Sequence, residues 1–304
     1  MHTHHSHSGQ FCGHAVDTLD DIIAAAIKKK YRILCLTEHM PRLFSDELYP
    51  EESDLEPADL EQTFDNYYKY ACEVRNKTNR DASNITKILI GFEVDFIRPQ
   101  YAAYIKQLLQ KYKFDMFVGS IHYVQAIPID YDETLWHKAA DLCGGLIELF
   151  RCYFNEQYEM LKCLNPPVVG HFDLIRLKAP EKERFVRLSE LDKEVWQLAK
   201  RNIDYIINYG GIFELNAAAL RKGWSTPYPY VDVAEYIQAN GGYFCLSDDS
   251  HGVAQLGYSY GKVIDYAESI GITQLKYCDV DTAGNPITNT ISLSDVRSSE
   301  FFQI

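Results

Sequence analysis

The stretch YRILCLTEH, residues 31–39, decides the fold. Its run Tyr31–Thr37 is short and, Arg32 apart, rich in large apolar residues, which reads as a strand buried on both faces of a parallel sheet. It ends in a histidine, His39, at the strand's C-terminal edge. Working outward, Asp17–Lys30 reads as an amphipathic helix entering this strand. The segment leaving it, Asp59 to about Lys77, spaces Leu60, Phe64, Tyr67, Ala71 and Val74 as one helical face. The alternation continues along the chain. Strands are expected at Ile88–Glu93, Met116–His122, Val168–Phe172, Ile212–Asn216, Tyr243–Asp248 and Leu275–Val280. Helices are expected at Tyr101–Lys113, Leu146–Leu164 (stopped by Pro166 and Pro167), Ser189 as N-cap through Tyr209, Val231–Ala239 and Lys262–Ser269. Roughly seven strands separated by helices imply parallel βα units, closed as a barrel or laid out as an open doubly wound sheet.

The chain has 304 residues, 46% of them hydrophobic and 24% charged, enough for one large core. No repeat, low-complexity linker or domain boundary interrupts it, so 1–304 is expected to be a single domain. The polar stretch 41–57 reads as a loop insertion, either a lid or a surface excursion, and 292–304 as a peripheral tail. No apolar stretch is long enough to span a bilayer and no secretory signal leads the chain. Eight cysteines without CxxC pairs read as reduced thiols, which makes the cytoplasm the expected location. A net charge of −13 argues against a nucleic-acid partner and fits a phosphorylated ligand only where bound cations reverse the local field.

The ten histidines carry the functional signal. His5 and His7 lie two apart and share a strand face. His39, Glu93 (in GFEVD), His122 (in VGSIH), His171 (in VVGH) and the pair Asp249 and His251 (in LSDDSH) each fall at a strand's C-terminal end. That edge is where active sites assemble in parallel βα folds. An affinity-tag remnant is the bland reading of MHTHHSHS, but the run is broken by Thr and Ser and passes without a linker into FCGHA. His2 and His4 belong to the other face of the first strand, and His137 sits within a helical stretch, so these three are read as structural. Mixed imidazole and carboxylate donors suit Zn, Fe or Mn better than Ca or Mg. They are too many for one ion, and a cluster of ions about 3.5–4 Å apart fits phosphoester hydrolysis, since such ions bring the pKa of water toward ~7. Glu93 lies midway along the donor series and is the expected bridge. Arg176 (in GHFDLIR) and Arg221 (in ELNAAALRK) are the candidate phosphate-binding forks, an exposed surface arginine being the alternative for each, with Lys222 behind them.

With these motifs in place, nearly the whole chain resembles the polymerase-and-histidinol-phosphatase (PHP) superfamily. Its pattern is matched by His5-Ser6-His7, Thr37-Glu38-His39, Glu93, Ser120-Ile121-His122, Gly170-His171 and Asp249-Ser250-His251. Many members place an aspartate in the first motif; here Cys12-Gly13-His14-Ala15 is similar to the histidinol-phosphatase branch, where a histidine serves. The resemblance implies a distorted (β/α)7 barrel holding two or three divalent ions. His5, His7, Glu93 and Asp249 would hold one. Glu93, His122 and His171 would hold the second, and His14, His39 and His251 the third. Glu93, His39 and Asp249 would carry catalysis, and Arg176 and Arg221 would lie near the phosphate. The implied reaction is hydrolysis of L-histidinol phosphate to L-histidinol and phosphate, the penultimate stage of histidine biosynthesis. A phosphoesterase acting on nucleotides or DNA ends and a catalytically inactive metal-binding scaffold are the competing readings. Oligomeric state is not legible.

Overall fold

The computed structural model describes residues 1–81 and 83–303; Ile304, the end of the expected tail, lies outside them. Ten strand segments precede a C-terminal hairpin. They are β1 (His2–Thr3), β2 (Ile33–Leu36), β3 (Lys87–Ile90), β4 (Glu93–Asp95), β5 (Val118–Ser120), β6 (Tyr123–Val124), β7 (Ile127–Pro128), β8 (Val168–Val169), β9 (Ile212–Asn216) and β10 (Tyr243–Ser247). The hairpin pairs β11 (Gln274–Val280) with β12 (Pro286–Ser292).

Two parallel sheets, ordered β1-β2-β3 and β10-β9-β8-β5-β4, meet at both edges. At one seam β3 and β4 are halves of a single strand that changes partner at Gly91-Phe92. Glu93 N–H donates to the Glu38 carbonyl at 3.0 Å, and Val118 N–H to that of Phe92 at 2.9 Å. A Cβ at Gly91 would strike the Met116 carbonyl, so this change of partner needs glycine. At the other seam His4 N–H donates to the Leu246 carbonyl at 3.3 Å, and His7 N–H to that of Ser250 at 2.7 Å. The ring therefore runs β1, β2, β3–β4, β5, β8, β9, β10 and back: the distorted parallel barrel rather than an open sheet.

Period-two alternation divides the apolar residues as the pleat requires. Ile33, Cys35, Leu89, Val118, Val168, Ile212 and Cys245 fill the inside, whereas Leu34, Leu36, Ile88 and Ile90 join the larger cluster beneath the helices. Tyr277 and Cys278 of β11 pack into the inner cluster. Leu275–Val280, expected as another parallel strand, is thus one arm of an antiparallel hairpin outside the ring. The helix expected from Ser189 starts at Lys193, because the Asp192 carboxylate caps it by accepting from Glu194 and Val195 N–H. In the stretch after 292, Leu293 and Val296 are buried and the Phe301 ring meets Tyr31 edge-on at 5.3 Å. The 41–57 stretch forms two single-turn 3₁₀ helices and is tied down by buried Glu47, which takes hydrogen bonds from Arg98 and Tyr101. No helix among the described residues is long and apolar enough to cross a membrane.

Candidate active site

Every barrel strand delivers its chemistry at the same rim. Five imidazoles converge on the buried Glu93 carboxylate. His5 Nε2, His7 Nε2 and His39 Nδ1 lie 3.0, 3.4 and 3.2 Å from Oε2, while His122 Nε2 and His171 Nε2 lie 3.3 and 3.0 Å from Oε1. Asp249 joins from the end of β10, its Oδ1 at 3.8 Å from His5 Nε2 and 3.6 Å from His7 Nε2. Asp249 holds a positive φ of 48°, and Arg221 braces the turn by donating to the carbonyls of Asp248 and Asp249. His171 can approach β5 because Gly170 precedes it; a Cβ there would collide with Ser120 Oγ.

A second tier of carboxylates orients these rings. His5 Nδ1–H donates to Glu214 Oε1 at 2.9 Å and His122 Nδ1–H donates to Asp95. Each bond holds the ring by Nδ1–H and aims Nε2 inward, so that its lone pair would face a metal ion once that ion displaces the Nε2 proton. Burial works against charge on His5, but Glu93, Glu214 and Asp249 outweigh it and hold its pKa well above the ordinary value. Burial likewise opposes the Glu93 charge, yet His5, His122 and His39 keep its pKa well below the carboxylate range. His39 and His251 are pushed well down by burial and by neighbouring His7, so both rings stay neutral and able to ligate.

The donor set fits divalent metal ions on its own terms. His122 Nε2 and His171 Nε2 face each other at 3.1 Å beside Glu93 Oε1, three potential donor atoms close enough to share one cation. His5 Nε2, both ring nitrogens of His7, His39 Nδ1 and His171 Nδ1 are buried without a hydrogen-bond partner. Unpaired buried polar atoms are costly, and ligation would satisfy those that face the cluster. Groups of donors within 4.8 Å of one another are His5–His7–Glu93, His5–His171–Asp249, Glu93–His122–His171, His39–Asp95–His122 and His7–Cys12–His39–His251.

Beside this cluster opens a cleft of about 370 Å³, walled by His14, His39, His122, His171, Asp249 and His251 together with Tyr49, Glu51, Asp130, Arg221 and Lys222. Arg221 is therefore at the cleft, as expected. Arg176 is not: it is fully buried, with Nε 2.9 Å from Asp173 and its fork spent on Asp232 and on the Arg184 and Val186 carbonyls. That expectation is corrected; Arg176 ties the segment after β8 to the helix Val231–Ala239. His14 reaches the cleft with a side chain 42% exposed, beside Glu51 and stacked on His251, but it enters none of the donor groups. His2 and His4 are structural, each ring accepting a backbone N–H, from Leu246 and Cys278. Glu214 and Asp95 went unread in the sequence, although a carboxylate inside an apolar strand is itself a flag.

A closed parallel barrel with a histidine–carboxylate cluster at the C-terminal rim is the layout of a barrel metalloenzyme. The chain belongs to the PHP domain family, whose profile matches residues 3–218. It is 43% identical over 296 residues to a probable histidinol-phosphatase of Schizosaccharomyces pombe, covering 97% of this chain and 95% of that one. It is 34% identical over 329 residues to the histidinol-phosphatase of Saccharomyces cerevisiae, covering 99% and 97%. Among solved structures, a Listeria monocytogenes putative histidinol phosphatase superposes with TM-score 0.70 at 21% identity, covering 86% of this chain and 99% of that one. A Lactococcus lactis histidinol phosphate phosphatase, solved with Zn, L-histidinol and phosphate, gives TM-score 0.66 at 17% identity, covering 90% and 95%. At these identities the structural likeness speaks to the fold.

Proposed function

We infer that this chain hydrolyses L-histidinol phosphate to L-histidinol and phosphate, using divalent metal ions held by His5, His7, His39, Glu93, His122, His171, Asp249 and His251. The observation that carries the reading is the convergence of five imidazoles on Glu93 beside a cleft that also presents Arg221 and Lys222. The near-full-length relatives named as histidinol-phosphatases supply the substrate, and the zinc in the Lactococcus lactis relative supports the choice of metal. Bound ions would supply charge neutralisation at the phosphoryl oxygens and a nucleophile at neutral pH.

The chain's own groups do the rest. Glu93 presents its two oxygens to different imidazole sets, as a bridging ligand must. Glu214 and Asp95 hold His5 and His122 in the ligating tautomer. Arg221 offers fixed donors and Lys222 a charge for the phosphate. Glu51 and Asp130 on the cleft wall offer negative charge for a cationic alcohol leaving group. Parallel assays with L-histidinol phosphate, AMP and a 3′-phosphorylated oligonucleotide test the reading. Turnover confined to the first supports it; turnover of the nucleotides alone would replace it with the nucleotide-directed alternative.

A further inference from the structure

We propose that Cys12 supplies a thiolate ligand to the outermost metal ion, taking with His39 and His251 the place that the family pattern gives to His14; this rests on the metal-dependent reading above. The Cys12 sulfur and ring nitrogens of His7, His39 and His251 lie within 4.8 Å of one another. Among the described residues this is the only donor group that includes a sulfur; the other seven cysteines belong to none. His7 is 1% exposed, neither of its ring nitrogens has a hydrogen-bond partner, and its ring stacks on both His39 and His251 at 4.4 and 4.5 Å. A buried imidazole that makes no hydrogen bond, has the carboxylates of Glu38, Glu93 and Asp249 at 3.4–3.6 Å and is wedged between two candidate ligands marks where a cation belongs.

The sulfur is held in position. Cys12 N–H donates to the Ser8 carbonyl at 2.9 Å and Ala15 N–H to the Cys12 carbonyl at 3.1 Å. Ser8 is clamped in turn, its N–H and hydroxyl both donating to Glu38 Oε1 at 2.8 and 2.6 Å. Gly13 follows directly, so the chain turns back there and carries His14 outward. His14 Nε2 touches the Cys12 sulfur at 3.3 Å, while its Nδ1 faces Glu51 at 3.5 Å. His14 is thus placed to donate Nε2–H to a thiolate and act as a positioning residue. On ligation the thiol gives its proton to solvent and the sulfur keeps the electron pair. A thiolate among imidazoles makes this position softer than the oxygen-rich positions around Glu93, and so favours Zn over Mn.

Cobalt(II) titration of the metal-stripped full chain tests this. The wild type should develop visible ligand-field bands together with a near-ultraviolet thiolate-to-cobalt charge-transfer band. Cys12→Ser should lose the near-ultraviolet band while keeping visible bands from the remaining ions. Visible bands without a charge-transfer band in the wild type, or a band that persists in Cys12→Ser, would overturn the proposal and leave the metal-dependent reading standing. Failure of cobalt to bind at all would sink both. Should the serine variant not fold, alkylation of the wild type read by peptide mass decides. Cys12 should react faster after chelation than with zinc bound, and equal rates would overturn the assignment.

Discussion

Replacing Glu214 with glutamine changes one atom and should cripple metal binding. Glu214 is 1% exposed, and its two oxygens serve three donors. Oε1 accepts His5 Nδ1–H at 2.9 Å, and Oε2 accepts the His171 backbone N–H and Asn216 Nδ2–H, both at 3.0 Å. Glutamine has one oxygen. The backbone N–H of His171 cannot change its role, so that oxygen goes to His171 and the new NH₂ group faces His5. Nδ1 must then accept, which moves the ring proton to Nε2, the atom 3.0 Å from Glu93 that would otherwise face the ion. Loss of such a carboxylate–histidine partner typically weakens metal affinity about 10- to 100-fold. That corresponds to about 1.4–2.7 kcal/mol, in line with the ~1–3 kcal/mol of leaving one buried donor mismatched. Chelator competition on Glu214→Gln should show this loss for the tightest ion, with the metal-free protein still folded by circular dichroism. Wild-type affinity in a folded variant would refute the account of how His5 is oriented.

The two arginines should separate cleanly. Arg221→Ala, at the cleft, should lower kcat/KM about 10- to 100-fold, the scale of one charge-assisted hydrogen bond, with most of the protein still folded. Arg176→Met strands Asp173 and Asp232 in the interior and should cost roughly 3–5 kcal/mol of stability in thermal unfolding while leaving KM unchanged below the transition. Glu156 offers a pH test away from the site. Burial, against hydrogen bonds from Gln125, pushes its pKa from 4.5 up to about 7. A folded pKa above the unfolded one means its contribution is intact below about 4.5 and fades as pH rises through about 7. Glu156→Gln should therefore be more stable than wild type at pH 8, by up to ~3 kcal/mol, with the gap closing toward pH 5 in denaturant titrations.

The rim was readable because local signals sufficed for it. A short apolar run that ends in His or Glu marks both a parallel strand and what stands at its tip, which is how His39, Glu93, His122 and His171 could be assigned before any contact was known. What escaped depends on partners distant in the chain. Arg176 looked free in GHFDLIR, yet a single 3₁₀ turn after Asp173 swings it inward to meet Asp232 from another element. β11 alternates as any strand does; the turn Asp281–Asn285, where Asn285 N–H closes onto the Asp281 carboxylate, was the sign that the next strand returns antiparallel. Asp192 displaced Ser189 as a cap because both are good caps and only the path of the backbone chooses between them. His14 enters none of the donor groups whereas Cys12, two residues earlier, does, since spacing alone does not say which side chain of a tight turn points inward.

The central claim is that imidazoles and carboxylates gathered at one rim hold metal ions without which no phosphate is released. Chelating the purified protein to below one ion per chain, then measuring phosphate release from L-histidinol phosphate as Zn, Mn or Fe is restored, tests it directly. The expected result is negligible turnover when stripped and recovery that needs at least a second equivalent, the stoichiometry proposed from Glu93 lying between two donor sets. Full-rate hydrolysis by the stripped protein would contradict the account.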